Sequence, residues 1–234
     1  MNPRQKKSAP TPPPPARCRI LVIDDHPFMR AGLTQLIDRQ GDMQVCGEAG
    51  NPGEAARELA RCSPDLVLTD ITMPGRSGLD FIKDLLALNA KLPVLVVSMH
   101  DEAIYAERVL RAGARGYIMK EAGGENLLAA IRRIMAGEVY LSPAMSARIL
   151  ENLSGRRPRG SSSPIEKLTD REFEVFRLIG QGKSTRDIAA QLNLSSKTVD
   201  VHRGHLNEKL ELKDTTALVR HAVRWVETQG IEPQ

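Results

Sequence analysis

Polar residues end four short apolar runs of the chain, and their types suit work on a phosphoryl group. They are Asp24 with Asp25, Asp70, Ser98 and Lys120. Carboxylate oxygens are preferred ligands of Mg²⁺, and a carboxylate can also be the nucleophile toward phosphorus. An ammonium and a hydroxyl can hold phosphoryl oxygens. The set predicts a phosphate-and-metal site, with Asp24 and Asp25 as metal ligands and Asp70 as both nucleophile and ligand.

Each of these residues alone also has an ordinary explanation. An aspartate before a turn commonly caps that turn, adjacent aspartates commonly face solvent, and a lysine is usually exposed. Asp70 precedes such a turn, which contains Pro74, Gly75 and Gly78. The prediction therefore depends on the fold bringing these residues together.

The apolar runs have the length and the bounds of buried parallel strands. Amphipathic stretches separate them, at 28–39, 52–61, 79–88, 103–111 and 125–135. This alternation predicts an α/β fold with a doubly wound, five-stranded parallel sheet, because each strand is followed by a helix that can cover one face. In such a sheet the carboxyl ends of the strands share one edge, where ligands bind. The predicted strands are 19–23, 44–48, 66–69, 94–97 and 116–118.

The rest of the chain has a different pattern. Residues 1–16 are basic and proline-rich, which predicts a disordered tail, and residues 17–138 form the α/β domain. Residues 139–165 are interpreted as a linker with a short helix at 143–153. Capping residues and helical periodicity then predict a small all-α domain of four helices at 166–228, before a tail at 229–234.

Composition narrows the class of protein. The chain has 234 residues, 41% of them hydrophobic, and a net charge of +4. Five Lys or Arg and no acidic residue lie in the first 19 positions, so the overall charge says little about nucleic-acid binding. There is no signal-peptide pattern and no apolar run long enough for a membrane span. Cys18, Cys46 and Cys62 have no metal-site spacing. We expect a soluble, cytoplasmic protein with free thiols and no membrane partner.

The predicted strand ends resemble the receiver domain of two-component response regulators, which has a flavodoxin-like fold. The resemblance covers about residues 17–138. It lies in the acidic pair, in Asp70 with its Met-Pro-Gly turn, in Ser98, and in the segment 113–120 that ends at Lys120.

This resemblance implies a phosphorylation switch. A sensor histidine kinase would phosphorylate Asp70. In response, the Ser98 hydroxyl would move toward the phosphoryl group, and the Tyr117 ring would turn inward. The implied cofactor is Mg²⁺, and its implied ligands are Asp24, Asp25, Asp70 and the backbone carbonyl of Thr72.

The C-terminal domain has the pattern of a helix-turn-helix, in which two short helices joined by a tight turn are followed by a capped helix. Val199, Leu206 and Leu210 share one face of the last of these helices, while Lys197, Val201, Gly204 and Glu208 share the opposite face. One face can pack, and the other can enter a DNA major groove. Lys197 and Thr198, at the amino end, can reach phosphates.

Residues 166–226 resemble the LuxR-type helix-turn-helix of NarL/FixJ regulators, through the segments 168–172, 182–189, 196–202 and 208–210. The resemblance implies binding to double-stranded DNA, homodimers after phosphorylation, and a resting receiver that covers the recognition helix. One departure is Asp200, where many relatives carry Lys; a carboxylate repels phosphate but can accept from a cytosine amino group. The implied DNA-contacting residues are Thr185, Ser195, Lys197, Thr198, Asp200, Val201, His202, Arg203 and Lys209.

Two alternatives stay open at this stage. An enzyme with Asp70 as nucleophile on an outside substrate would want a second acidic residue two positions later, where the chain has Thr72, so no such turnover is expected. The protein could also be a phosphorylation-independent regulator or adaptor that uses the receiver as a dimerisation scaffold. A DNA affinity that is the same with and without a beryllofluoride mimic of the phosphoryl group would favour this second alternative.

Overall fold

The computed structural model describes residues 17–73, 77–154 and 164–228. Its first part is a five-stranded sheet with all strand pairs parallel, in the order β2-β1-β3-β4-β5. The predicted α/β fold is therefore confirmed. The strands are β1 Cys18–Ile23, β2 Met43–Ala49, β3 Leu66–Thr69, β4 Val94–Ser98 and β5 Gly116–Met119.

Helices cover both faces of this sheet because neighbouring residues of each strand point to opposite faces. Leu21 and Ile23 belong to one buried apolar cluster, and Ile20 and Val22 belong to another. These four side chains are at most 1% exposed, so β1 is closely packed on both faces and the strand ends are held on a rigid frame. The helices are α1 Pro27–Asp38, α2 Pro52–Cys62, α3 Gly78–Leu88, α4 Glu102–Arg111 and α5 Gly124–Met135.

The segment that follows α5 still packs on the α/β domain. Tyr140 forms a parallel bridge with Gly116, the backbone N–H of Ser142 donates to Glu102 at 2.8 Å, and Met145 is buried. The short helix α6, Pro143–Leu153, is thus packed on α4. Part of the segment interpreted as linker belongs structurally to the α/β domain.

The C-terminal part contains the four predicted helices. They are α7 Asp170–Gly180, α8 Thr185–Gln191, α9 Ser196–Lys209 and α10 Thr215–Thr228. Reciprocal capping boxes begin α7 at Thr169 and α8 at Ser184, and Ser195 caps α9. The predicted tails at 1–16 and 229–234, and the linker residues 155–163, lie outside the described residues. Within the described residues, no helix is long and apolar enough to cross a membrane.

A contact joins the two domains through α4 and α7. The Arg108 guanidinium is buried, donates to the backbone carbonyls of Leu168 at 2.9 Å and Ile165 at 3.0 Å, and lies 3.1 Å from Asp170. It also lies over the ring of Phe173, 4.5 Å from its centroid. A buried guanidinium with three hydrogen-bond partners in the C-terminal part holds the helical domain firmly against α4.

Candidate phosphoryl-acceptor site and nucleic-acid interface

The sheet brings the four predicted polar ends to one edge. The backbone N–H of Asp24 donates to Ala49 at 3.0 Å, and that of Asp70 donates to Ile23 at 2.9 Å, so both aspartates continue their strands. The chain turns sharply after Asp70. Gly78 permits this turn, because a Cβ there would lie 2.2 Å from the carbonyl oxygen of Ile71.

Lys120 ties two of the carboxylates together. Its Nζ lies 2.6 Å from Asp24 Oδ2 and 2.7 Å from Asp70 Oδ2, and its side chain is only 3% exposed. The other oxygen of Asp70 accepts from the backbone N–H of Thr72 at 3.0 Å. The ammonium therefore already stands where it could contact an oxygen of a group attached to Asp70.

Electrostatics in the site reflect its burial. Burial raises the pKa of Asp70, although the positive charge of Lys120 opposes the shift. Burial works against the charged form of Lys120, but the carboxylates of Asp70 and Asp24 outweigh it and hold the pKa of the lysine above its ordinary value. The single positive charge of Lys120 is therefore shared between two buried carboxylates, those of Asp24 and Asp70.

The residues present fit a divalent cation. Asp24, Asp25 and Asp70, with His26, each offer one ligand atom, and these atoms lie within 4.8 Å of one another. Asp25 Oδ1 is buried without a hydrogen-bond partner, although His26 Nδ1 is 2.8 Å away. Several carboxylates around an oxygen-ligand site match the preference of Mg²⁺.

The two predicted switch residues lie beside this site and are fully buried. The Ser98 hydroxyl accepts from the backbone N–H of His100 at 3.3 Å, and the Tyr117 hydroxyl donates to the carbonyl oxygen of His100 at 2.8 Å. Both switch residues thus meet at His100. The Tyr117 ring is already turned inward and fully buried in this structure, so the inward turn that the resemblance implies does not depend on a phosphoryl group here.

Sequence reasoning did not single out His100. Its Nε2 lies 2.6 Å from the Thr72 hydroxyl, so it links the loop after β4 to the loop after β3. Burial, with the positive charges of Arg177 and Lys120, lowers the pKa of His100 to about 4, so the ring is neutral near pH 7. Only its position two residues after Ser98 could have drawn attention to it.

A series of rings runs from His100 to the C-terminal domain. His100 stacks on Tyr105 of α4 with centroids 4.8 Å apart, and Tyr105 meets Phe173 of α7 edge to face at 5.2 Å. Phe173 in turn contacts Trp225 of α10 at 5.5 Å. The surroundings of Ser98 and Tyr117 are therefore in packed contact with the core of the helical domain.

An acidic residue lies buried in the contact between the domains. Glu174 of α7 accepts hydrogen bonds from the Ser77 hydroxyl and from Arg171 Nη1, the latter at 3.2 Å. Burial, with the negative charge of Asp80, raises the pKa of Glu174 to about 7, while Arg171 and Arg177 oppose the shift. The contact between α3 and α7 therefore favours the protonated acid.

We expect this contact to weaken as the pH rises. A folded-state pKa above the ordinary value of 4.5 gives stabilisation that is complete below about pH 4.5 and lost as the pH rises through about 7. The ratio of molecules in which α7 contacts α3 to molecules in which this contact is broken should fall by on the order of 100-fold over that range. Small-angle X-ray scattering of the full chain should show a larger radius of gyration at pH 8 than at pH 5.

Glu174→Gln isolates this effect from other titrating groups such as His100. The amide is neutral at every pH, so the variant should remain compact at pH 8. Glu151→Gln, at an exposed position of α6, is the matched control and should behave as wild type. An equal expansion with pH in Glu174→Gln and wild type would contradict the assignment.

The predicted DNA-reading face of α9 is open to solvent. Val199 and Leu206 are fully buried, whereas Lys197, Asp200 and Val201 are exposed, as the predicted two-faced helix requires. A Cβ at Gly204 would meet no atom within 4 Å. The packing face and the candidate reading face of α9 are thus distinct.

The remaining predicted DNA-contacting residues differ in their surroundings. Ser195 accepts from the backbone N–H of Thr198 at 3.0 Å, so these two residues form the cap of α9. Lys209 Nζ lies 2.6 Å from Glu172 of α7 and is engaged within the domain. Thr185, His202 and Arg203 are half-buried.

The expectation that the resting receiver covers the recognition helix is not met in this structure. The α/β domain contacts α7, through Arg108, Tyr105 and Ser77, and leaves the outer side chains of α9 exposed. The physical reason is that the side chains that bind the receiver, Glu174 and Phe173, lie on α7. Glu174 accepts from Ser77 at the start of α3, and Phe173 packs against Tyr105 and Arg108 of α4.

Comparison with known proteins agrees with both domains. A family model described as "Response regulator receiver domain" matches residues 20–132, and one described as "Bacterial regulatory proteins, luxR family" matches 166–222. The oxygen regulatory protein NreC of Staphylococcus carnosus is 33% identical over 210 residues, which span 88% of this chain and 97% of that protein.

Solved structures agree as well. A two-component response regulator of the LuxR family from Aurantimonas sp. SI85-9A1 is 33% identical with a TM-score of 0.55, over 59% of this chain and 99% of that one. RcsB from Salmonella enterica serovar Typhimurium, bound to promoter P1flhDC, is 25% identical with a TM-score of 0.70, over 88% of this chain and 98% of that one. The predicted family is confirmed: the chain belongs to the two-component response regulators that join a receiver domain to a LuxR-type DNA-binding domain.

Proposed function

We propose that transfer of a phosphoryl group to Asp70 controls how this regulator binds double-stranded DNA. One observation carries the proposal: buried Asp70 lies 2.7 Å from Lys120, within a group of carboxylates whose atoms are close enough to share a cation. The donor would be the phosphohistidine of a cognate sensor kinase. A carboxylate oxygen of Asp70 forms the new bond to phosphorus as the bond from phosphorus to the donor nitrogen breaks.

The side chains of the chain itself have separable tasks in this step. Lys120 supplies positive charge to a phosphoryl oxygen, and the Ser98 hydroxyl donates to another. Asp24, Asp25, Asp70 and the carbonyl of Thr72 would hold Mg²⁺, which neutralises charge that builds up on the phosphoryl oxygens. The acyl phosphate is later hydrolysed by water, and no outside substrate is turned over.

The route from Asp70 to the DNA-binding domain runs through the ring series. Movement of Ser98 toward the phosphoryl group would displace His100, whose backbone N–H donates to the Ser98 hydroxyl. The carbonyl of His100 accepts from the Tyr117 hydroxyl, and its ring stacks on Tyr105. Tyr105 packs on Phe173, so the change reaches α7. Release of α7 would then favour homodimers on paired half-sites, with α9 in the major groove. We place this action in the cytoplasm, where such a regulator meets DNA.

DNA selection tests this proposal. Full-length protein should enrich paired half-sites from random duplex DNA, and beryllofluoride should tighten binding to them by about tenfold or more. A solved RcsB complex contains promoter DNA together with the phosphomimetic BeF3-. Unchanged affinity with and without the mimic would instead favour the phosphorylation-independent regulator.

Lys197→Ala tests the assigned reading helix in the same assay. Loss of one phosphate contact should weaken binding to all sequences and reduce the slope of log affinity against log salt by about one. Lys91→Ala removes an equal charge from an exposed position of the receiver and serves as the control. A slope that changes equally in both variants would contradict a contact by Lys197.

A further inference from the structure

Two free thiols of the receiver are in direct contact between β2 and α2. Cys46 Sγ and Cys62 Sγ lie 2.9 Å apart, which is closer than ordinary van der Waals contact of two sulfur atoms. An S–S bond is about 2.0 Å long, so a shift of roughly 1 Å would join them. Neither thiol has a part in the site around Asp70.

An irregularity of β2 produces this contact. Ile20 pairs with Val45 and Leu21 pairs with Gly47, so Cys46 is an extra residue without a partner on β1. In a regular strand Cys46 and Gly47 would face opposite sides. Here a Cβ at Gly47 would lie 3.3 Å from Cys62 Sγ, so both positions adjoin the same thiol. Such a bulge is a recognised means of redirecting one side chain.

The surrounding contacts hold the two cysteines in place. Arg61, beside Cys62 in α2, donates from Nη2 to the backbone carbonyl of Cys46 at 2.9 Å. Cys62 is the last residue of α2, whose end is fixed by Ser63 in a left-handed conformation with φ 43°. Little conformational freedom remains to be lost when a bond forms, which favours an intramolecular bond over a mixed one.

We propose that Cys46 and Cys62 are a reversible disulfide site, separate from the phosphorylation site. The oxidant is a small disulfide of the glutathione class. The half-exposed Cys46 loses its proton and attacks one sulfur of the oxidant, which breaks the small S–S bond and releases one thiolate.

Cys62, which is 1% exposed, then completes the reaction from inside the protein. It loses its proton and attacks Cys46 Sγ, which forms the protein S–S bond and releases the second small thiolate. The two protons pass to these thiolates. Two cysteines are oxidised, and one small disulfide is reduced to two thiols.

The environment makes this reaction slow at neutral pH. Burial, with the adjacent Cys62 thiol, raises the pKa of Cys46 to about 12, although Arg19 opposes the shift. Because the thiolate is the nucleophile, bridge formation should accelerate by about tenfold per pH unit. The site therefore suits a sustained oxidising condition rather than a brief pulse of oxidant.

Thiol mapping tests the proposal on the full-length protein. Reduced protein is incubated with oxidised glutathione without oxygen, quenched with acid, treated with N-ethylmaleimide and digested with trypsin. We expect peptides 40–57 and 62–76 to appear linked, with the loss of two hydrogens, and Cys18 to be alkylated. Dithiothreitol should reverse the link, and oxidation should raise the thermal midpoint by on the order of 10 °C.

Cys18→Ser is the matched control and should keep the linked peptides. Cys46→Ser should lose them and lose the thermal shift; because Cys46 is only half-buried, we expect this variant to fold, as its circular dichroism spectrum would show. Full alkylation of both cysteines after oxidation would overturn the proposal. A bridge to Cys18, a bridge between two chains, or glutathione retained on Cys46 would overturn it equally.

Discussion

Asp70→Asn should abolish phosphoryl uptake from radiolabelled acetyl phosphate, with a loss of at least about 100-fold. An amide is a far weaker nucleophile than a carboxylate, and it cannot supply a charged ligand to a cation. Acetyl phosphate replaces the kinase, so the result depends on the receiver alone. Filter-bound label after a timed incubation gives the measurement.

Asp65→Asn is a matched control for this variant. Asp65 lies just before the other end of β3, where its side chain accepts from the backbone N–H of Arg19 at 2.8 Å. The same chemical change there should leave labelling intact. Asp70→Asn should still fold, because Lys120 keeps its partner Asp24 at 2.6 Å. Label retained by Asp70→Asn would place the acceptor at another residue.

Arg108→Ala should separate the two domains of the unphosphorylated protein. The substitution removes the hydrogen bonds to Leu168 and Ile165 and the contact with the Phe173 ring. Loss of these charge-assisted bonds should weaken the contact by about 2–4 kcal/mol. Small-angle scattering should show a larger radius of gyration, and the DNA affinity of the variant should depend less on beryllofluoride.

Arg111→Ala provides the control for Arg108→Ala. Arg111 is on the same helix, but its side chain is exposed and pairs with Glu107 one turn away. Such a surface pair contributes little, so the control should remain compact and dependent on the mimic. If both variants were as compact as wild type, Arg108 would not hold the domains together.

The sequence predicts the frame of the site well because that frame depends on local patterns. Each apolar run ends in a polar residue, and parallel strands place these ends at one edge, so the neighbourhood of Asp24, Asp70 and Lys120 could be predicted without coordinates. The same holds for α7 and α8, whose capping boxes are visible in the sequence.

What the sequence could not show is pairing between distant side chains. The link between His100 and Thr72, the bond between Ser77 and Glu174, and the extra residue at Cys46 all depend on tertiary register. The segment after α5 is interpreted as linker because residues 154–164 are rich in Gly, Ser, Pro and Arg. Its attachment rests on Tyr140 and Met145, which are ordinary residues until β5 and α4 are in place.

The receiver holds α7 and leaves the outer side chains of α9 exposed, and this choice of helix affects how pairing on DNA would be controlled. The contact with α7 leaves the DNA-reading face of α9 accessible to solvent, but it restricts the orientations that this face can adopt relative to the receiver. On paired half-sites, the second reading helix binds at an effective concentration set by how freely it reaches its site. In the proposed function, holding α7 lowers that effective concentration. Under this proposal, phosphorylation would act mainly on the affinity gained when two domains bind paired half-sites together, and would change the affinity of a single domain for one half-site much less.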